Sequence, residues 1–289
     1  MNHIHKKMRE DLQLRGLSKR TTSHYLLCVS VFTRYHDGAS ADRLSTEHVR
    51  SFLLHLAELG RSSSTQAGYH AALKFLFVET LGRPKVMEVI PRPRVRMQPT
   101  GRVLTRAEAR HLLDTFAHRP FDYTFFALML ATGLRISEAA ALQVQDIDRR
   151  ARLIHVRSGK GEKSRSVMLS KRTLKLLERY WVVVSPRPPF LFPARQGGGP
   201  QKADLRPWAD HAVCSKIMAD RLRYYQPPGP LRVRSHDLRR TFATWLIEDG
   251  YDLRLVQVLL GHASPETTAR YTRIHTDMIA DTISPYDKL

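Results

Sequence analysis

Acidic residues are scarce. Against 47 lysines and arginines, the 289 residues include only 27 aspartates and glutamates, a formal net charge of +20. Such an excess favours a polyanionic partner. It is not confined to a tail: residues 1–103 carry a net +9 and the remainder +11. Both halves are therefore expected to touch the polyanion. Ribosomal proteins and membrane-surface binders share this bias, so charge sets a class and no mechanism. Cysteine is rarer still. Cys28 and Cys214 both sit in apolar helical contexts, which predicts buried thiols rather than a disulfide. No apolar run reaches the ~18 residues of a membrane span, and the opening MNHIHKKMREDLQLRG lacks the apolar core of a secretion signal. A cytoplasmic protein without a membrane partner is expected. Metal-ligand spacing is missing as well, so neither a metal nor any other cofactor is expected. With 42% hydrophobic and 26% charged residues, the composition is that of a globular chain long enough for two domains.

What is present is mostly helical periodicity, with one short β signal: a mainly α chain with a small antiparallel β-sheet. Ser18 precedes a run with Tyr25, Leu26, Val29 and Phe32 on one face. Ser45, Thr46 and Glu47 read as the cap and first turn of a second helix, carrying Val49, Phe52, Leu53 and Leu56 and stopping at Gly60. Ser62 to Ser64 open a third, with Tyr69, Leu73, Leu76 and Phe77. With the segment before Gly16, residues 1–90 make a small four-helix domain. Residues 91–103, PRPRVRMQPTGRV, are a linker, because three prolines and a glycine prevent regular structure. No acid falls between Glu88 and Glu108, so Arg92, Arg94, Arg96 and Arg102 are expected to follow phosphates; a merely solvated linker is the plainer alternative.

Residues 104–289 form the second, α+β domain. Thr105 starts a helix, and a longer one runs from about Tyr123 to Thr132 with Gly133 as its C-terminal turn. A short helix restarts near Ser137. ARLIHV (151–156) and SRSVML (164–169) alternate around a glycine turn and read as a β-hairpin. LFPA is a candidate extra strand, residues 195–207 a loop, and everything after about Trp208 reads helical apart from YQPPGPLRVRS.

The chemistry lies in four segments: ATGLRISE (131–138), GKGEKSR (159–165), HDLRR (236–240) and LLGHASPETTARY (259–271). A phosphodiester resists attack because its charged oxygens repel nucleophiles; without a metal, fixed cationic donors must compensate. Arginine suits this, since its planar fork holds two phosphate oxygens and never loses its proton. Arg135 follows a helix-ending glycine at the start of the next helix, where backbone amides also favour an anion. Arg239 lies three residues after His236, so on a helix they share a face. Lys160, between Gly159 and Gly161 at a hairpin tip, can reach a leaving oxygen and protonate it; a solvated tight turn is the plainer alternative. His262 follows Gly261 at the end of an apolar helix. Ser264 then caps another with Pro265 at its first position, placing Tyr271 two turns along. Any one of these taken alone is an ordinary surface or core residue.

Together these motifs resemble the tyrosine recombinase (phage integrase) family. In chain order Arg135, Lys160, His236, Arg239, His262 and Tyr271 fill that family's arginine, hairpin lysine, H-x-x-R pair, second histidine or tryptophan, and tyrosine nucleophile; Arg240 stands where many members have another histidine. The resemblance implies an N-terminal SAM-like core-binding domain and a C-terminal catalytic domain. It implies site-specific recombination of double-stranded DNA through a 3′-phosphotyrosyl intermediate, without ATP, by a homo-tetramer on two paired sites. Arg135, Arg239 and His262 would hold the phosphate, Lys160 would protonate the leaving oxygen, and His236 would assist proton transfer. It also implies that the tail TRIHTDMIADTISPYDKL docks in a neighbouring protomer, so that deleting residues 276–289 spares single-site binding; packing on its own domain is the alternative.

Other readings stay open. A type IB topoisomerase shares the chemistry but reseals one strand, and strand exchange separates the two. A relaxase would use a metal, and His3-Ile4-His5 spells such a pair, though at a charged terminus. A non-catalytic DNA-binding protein is the alternative from another class. Within the family, mobile-element integration and Xer-like dimer resolution both remain, as do the target sequence and any accessory proteins.

Overall fold

Helix caps organise the first part of the chain. In the computed structural model, which describes residues 3–94, 101–157, 164–195, 207–226, 232–261, 279 and 282–289, the chain divides into two units, Met1–Pro99 and Thr100–Leu289. The first holds α1 (His3–Leu14), α2 (Lys19–Tyr35), α3 (Thr46–Glu58), α4 (Ser63–Lys74) and the short α5 (Lys85–Glu88). Ser18 and Ser62 accept the amides of Thr21 and Thr65, closing the starts of α2 and α4. Beyond Lys74 the helix widens into a π-helical turn, Phe75–Thr80. The apolar faces meet around Met8, Leu12, Val29, Phe32, Phe52, Leu73 and Phe77. Phe32 lies edge-on to Phe52, ring centres 5.3 Å apart.

The second unit is built around α7 (Pro120–Thr132), preceded by α6 (Arg106–Asp114). FDYTFFALMLAT is apolar almost all round, so the helix is buried rather than amphipathic. It packs against α9 (Lys171–Val184) and α11 (Ser235–Glu248). α8 (Ile136–Ala141) follows α7 directly; α10 (Ser215–Tyr225) precedes α11, and α12 (Leu253–Leu260) succeeds it. Strands β1 (Ile147–Asp148), β2 (Leu153–Val156) and β3 (Arg165–Met168) form one antiparallel sheet, with Leu153 opposite Met168 and Val156 opposite Arg165. β4 (Pro193–Arg195) pairs antiparallel with β5 (Trp208–Ala212). No helix among the described residues is long and apolar enough to cross a membrane.

The fold is thus mainly helical with small antiparallel sheets, and it corrects several local expectations. α7 starts at Pro120 rather than near Tyr123, because a proline at the first helical position and Asp122 in the first turn both suit a helix start. α9 occupies a stretch in which the sequence had suggested no element; Ser170 caps it and Thr173, Leu177 and Tyr180 face inward. Trp208–Ala212 is a strand, not helix: the Val213 N–H donates to the Phe192 carbonyl (2.9 Å) as the chain runs beside β4. Cys28 is buried, but Cys214 is exposed at the start of α10.

The end of the chain bears on the tail expectation, although residues 272–278, 280 and 281 lie outside the described residues. Residues 282–289 pack in cis on the second unit. Tyr286 sits in its core, 2% exposed, beneath the Arg172 guanidinium. Ser284 Oγ donates to the Ala131 carbonyl (2.7 Å), Arg172 donates to the Tyr286 carbonyl (3.0 Å), and Lys288 pairs with Asp249 (2.9 Å). Deleting this segment would open the core rather than release a free arm. Tyr286→Ala is expected to cost about 3 kcal/mol or more, read as a shifted urea midpoint at unchanged slope.

Candidate active site

Three arginines converge on one carboxylate. Arg135 precedes α8, and Glu138 in the first turn of that helix turns back to accept the Arg135 N–H (2.7 Å) and its Nη1 (2.7 Å). This is a capping arrangement, in which a glutamate at the third helical position satisfies an amide the helix leaves open. Arg165, first residue of β3, reaches the same carboxylate with both terminal nitrogens, Nη1 to Oε1 and Nη2 to Oε2, each 2.8 Å. Arg239 of α11 completes the group, Nη1 3.8 Å from Oε2. Glu138, Arg165 and Arg239 are almost wholly buried, whereas Arg135 is partly open. Burial pushes the Glu138 carboxyl up. The hydrogen bonds and charges of Arg165 and Arg135 outweigh it and hold the group at about 2. Three guanidinium ions against one carboxylate leave the cluster net positive.

Helix ends fix where the arginines point. Arg239 Nη1 donates to the Gly133 carbonyl (2.9 Å) at the end of α7, and Nη2 donates to the Leu260 carbonyl at the end of α12. Arg165 Nε donates to the Leu259 carbonyl (2.8 Å). Open carbonyls at helix C-termini attract cations, so two helix ends are clamped to the same cluster. Gly133 is required there. Its φ is +65°, and an added Cβ would lie 2.3 Å from the Phe242 ring.

His236 shares α11 with Arg239 and is exposed. With Arg234, Asp237, Arg239, Arg240 and Leu260 it lines an open cleft of about 650 Å³. Of the six candidate catalytic residues, Arg135, His236 and Arg239 are therefore placed: the arginines meet on Glu138, and His236 stands on the same helix at the cleft. Lys160, His262 and Tyr271 lie outside the described residues, as does Arg96 of the linker. In sequence Lys160 falls between β2 and β3, and His262 follows the Gly261 that ends α12. Arg92 and Arg94 are exposed in the first unit. Arg102 is held within the second, its amide on Asp237 (3.1 Å) and its guanidinium on Glu108. Among the described residues no group of histidine, cysteine and carboxylate side chains could hold a metal ion.

Glu138 and Arg165 had been passed over as individuals in the sequence. The signal for Glu138 was local, a glutamate three residues beyond a helix start. Arg165 had none, because it is brought to Glu138 across 27 residues of chain.

Known proteins match along the same boundaries. Residues 102–278 match the phage integrase family and residues 4–85 the N-terminal SAM-like domain of phage integrases. An integrase/recombinase of Sinorhizobium fredii, y4qK, is 37% identical over 291 residues, covering 100% of this chain and 90% of the relative. The tyrosine recombinase XerA of Pyrococcus horikoshii is 30% identical over 280 residues, 94% of this chain and 89% of the relative. In fold, the chain is similar to a lambda integrase dimer bound to a COC′ core site, with a TM-score of 0.70 at 15% identity, covering 94% of this chain and 97% of that one. The arginine cluster, the helical framework around it and these matches agree: the chain belongs to the phage integrase family, the tyrosine recombinases.

Proposed function

We propose that this protein cuts and rejoins duplex DNA at specific sites, with Tyr271 as nucleophile. The observation that carries the reading is the cluster in which Glu138 gathers Arg135, Arg165 and Arg239 beside His236. It is a preorganised cationic seat for one phosphodiester, held by helix ends before any substrate arrives. The Tyr271 oxygen attacks phosphorus, the bond to the 5′-oxygen breaks, and Lys160 gives that oxygen its proton. His236 assists removal of the phenolic proton, while Arg135, Arg239 and His262 hold the phosphate oxygens. A 5′-hydroxyl of the partner strand reverses the step. The phosphotyrosyl bond conserves the energy of the broken linkage, so neither ATP nor a cofactor is needed.

Residues 1–90 serve as core-binding domain, 91–103 as linker, and 104–289 as catalytic domain. Positive charge on both sides of residue 103 supports DNA contact by both domains. The lambda integrase of similar fold is a dimer on a DNA core site. Exchange of two duplexes here calls for four tyrosines, hence a homo-tetramer, acting in the cytoplasm. Integration and excision of a mobile element is the preferred role, supported by the 37% identical integrase/recombinase; Xer-like resolution is the alternative, supported by XerA. The test is a nicked duplex carrying the site selected by the protein's own binding. The wild type should become covalently attached at the 3′ side of the cut and should exchange strands between two such sites. Attachment at a 5′ end, or none, refutes the reading.

A further inference from the structure

The residues that lead into the second unit lie along the helix bearing the H-x-x-R pair, contacting it at every fourth position. The Arg102 N–H donates to Asp237 Oδ1 (3.1 Å), and the Leu104 N–H donates to Thr241 Oγ1 (2.9 Å). The Leu104 carbonyl accepts from Trp245 Nε1 (3.1 Å), and Arg106 pairs with Asp249 (3.2 Å). Positions 237, 241 and 245 form one stripe of α11, and Asp249 caps the end of that helix. An extended chain advances about 6.6 Å in two residues and a helix about 6 Å in four, so residues 102, 104 and 106 stay in step with the stripe.

Asp237 stands at the head of this ladder, between His236 and Arg239. It is 2% exposed and its two oxygens are divided. Oδ1 takes the Arg102 amide, while Oδ2 takes the Arg234 amide (2.8 Å) at the start of α11. Gly101 seals the contact. Its φ of +146° suits glycine, and an added Cβ would stand 2.9 Å from the Arg240 guanidinium carbon and 3.0 Å from Asp237 Oδ1. A methyl group there would have to displace the Arg240 side chain or the Asp237 carboxylate.

We infer that Asp237 is a positioning residue, a latch through which the end of the interdomain linker sets where His236 and Arg239 stand. This rests on the reading of His236 and Arg239 as phosphate-handling side chains. Both Asp237 oxygens are taken by backbone amides. Its effect is therefore on the rate of cleavage in the bound complex rather than on binding.

The test uses the full chain on the nicked duplex, under single turnover with protein saturating. Asp237→Asn exchanges one acceptor oxygen for a donor and must lose one of the two amides. Cleavage should slow about tenfold or more, since small misplacements of catalytic groups are costly, while the Kd for intact duplex and the melting temperature stay near wild type. Gly101→Ala, which changes no residue of α11 but presses its added Cβ on Asp237 Oδ1 and Arg240, should reproduce this split between rate and binding, and it decides the matter if Asp237→Asn fails to fold. Wild-type cleavage by Gly101→Ala overturns the latch, as does a fall in its binding and melting temperature in proportion to cleavage. Absence of any adduct with the wild type overturns the reading of the site, and the latch with it.

Discussion

Tyr271→Phe should bind duplex DNA as the wild type does and form no covalent adduct. The substitution removes one oxygen and keeps the ring, so contacts made by the ring persist while the only atom able to attack phosphorus is gone. Removing a nucleophile costs about 10⁴-fold or more in turnover, because the remaining groups merely stabilise a transition state that water must then reach. A gel that resolves protein–DNA adducts from free protein reads the result directly, and binding by the same preparation shows that the variant is folded. An adduct with Tyr271→Phe would assign the nucleophile elsewhere.

The next largest effect is expected from Glu138→Gln. The carboxylate is the common partner of Arg135, Arg165 and Arg239. Without its charge, three guanidinium groups repel one another in a largely buried site. Removing one partner of a buried ion pair costs about 3 kcal/mol or more, and the cleavage rate should fall about 100-fold as the cluster loosens. The pH dependence carries a matching signature. The Glu138 carboxyl is held at about 2 when folded, against about 4.3 in an unfolded chain. A depressed value stabilises the fold fully above the unfolded value, and that contribution is lost as pH falls from about 4.3 towards 2. It is worth about 2 kcal/mol after a discount for solvent screening. Urea denaturation should therefore separate wild type from Glu138→Gln more widely at pH 6 than at pH 3. A gap that does not narrow in acid would mean that packing around Glu138, rather than its charge, supports the cluster.

Helix starts were the most readable part of the sequence. Ser18, Ser62 and Thr105 each announced a helix that the structure contains, because a cap is a local hydrogen bond between residues three apart. The β2–β3 hairpin was readable from alternation for the same reason. Trp208–Ala212 was not, since WADHA has no alternation to show and becomes a strand only through β4. α9 was hidden by its charges, KRTLKLLERYW, although its inward positions follow helical spacing. At the site, Arg135, His236 and Arg239 stood out as motif residues. Their supports did not: Glu138 with Arg165, and Asp237 with Arg102, are pairings across 27 and 135 residues that no local pattern encodes.

The docking of the chain's end on Ala131 and in the core has a kinetic consequence. Tyr271 lies ten residues beyond Gly261, the end of α12, and eleven before Thr282, where the docked segment begins. Both anchors belong to the same compact unit, so the chain between them is held at both of its ends. Closing a loop restricts the volume its midpoint can explore, and the entropy for this is spent once, on folding. For a tyrosine nucleophile between two such anchors, confinement of that kind would raise its effective concentration at a phosphate seated on the same unit. A chain cut before residue 282 would lose that second anchor together with the core packing of Tyr286.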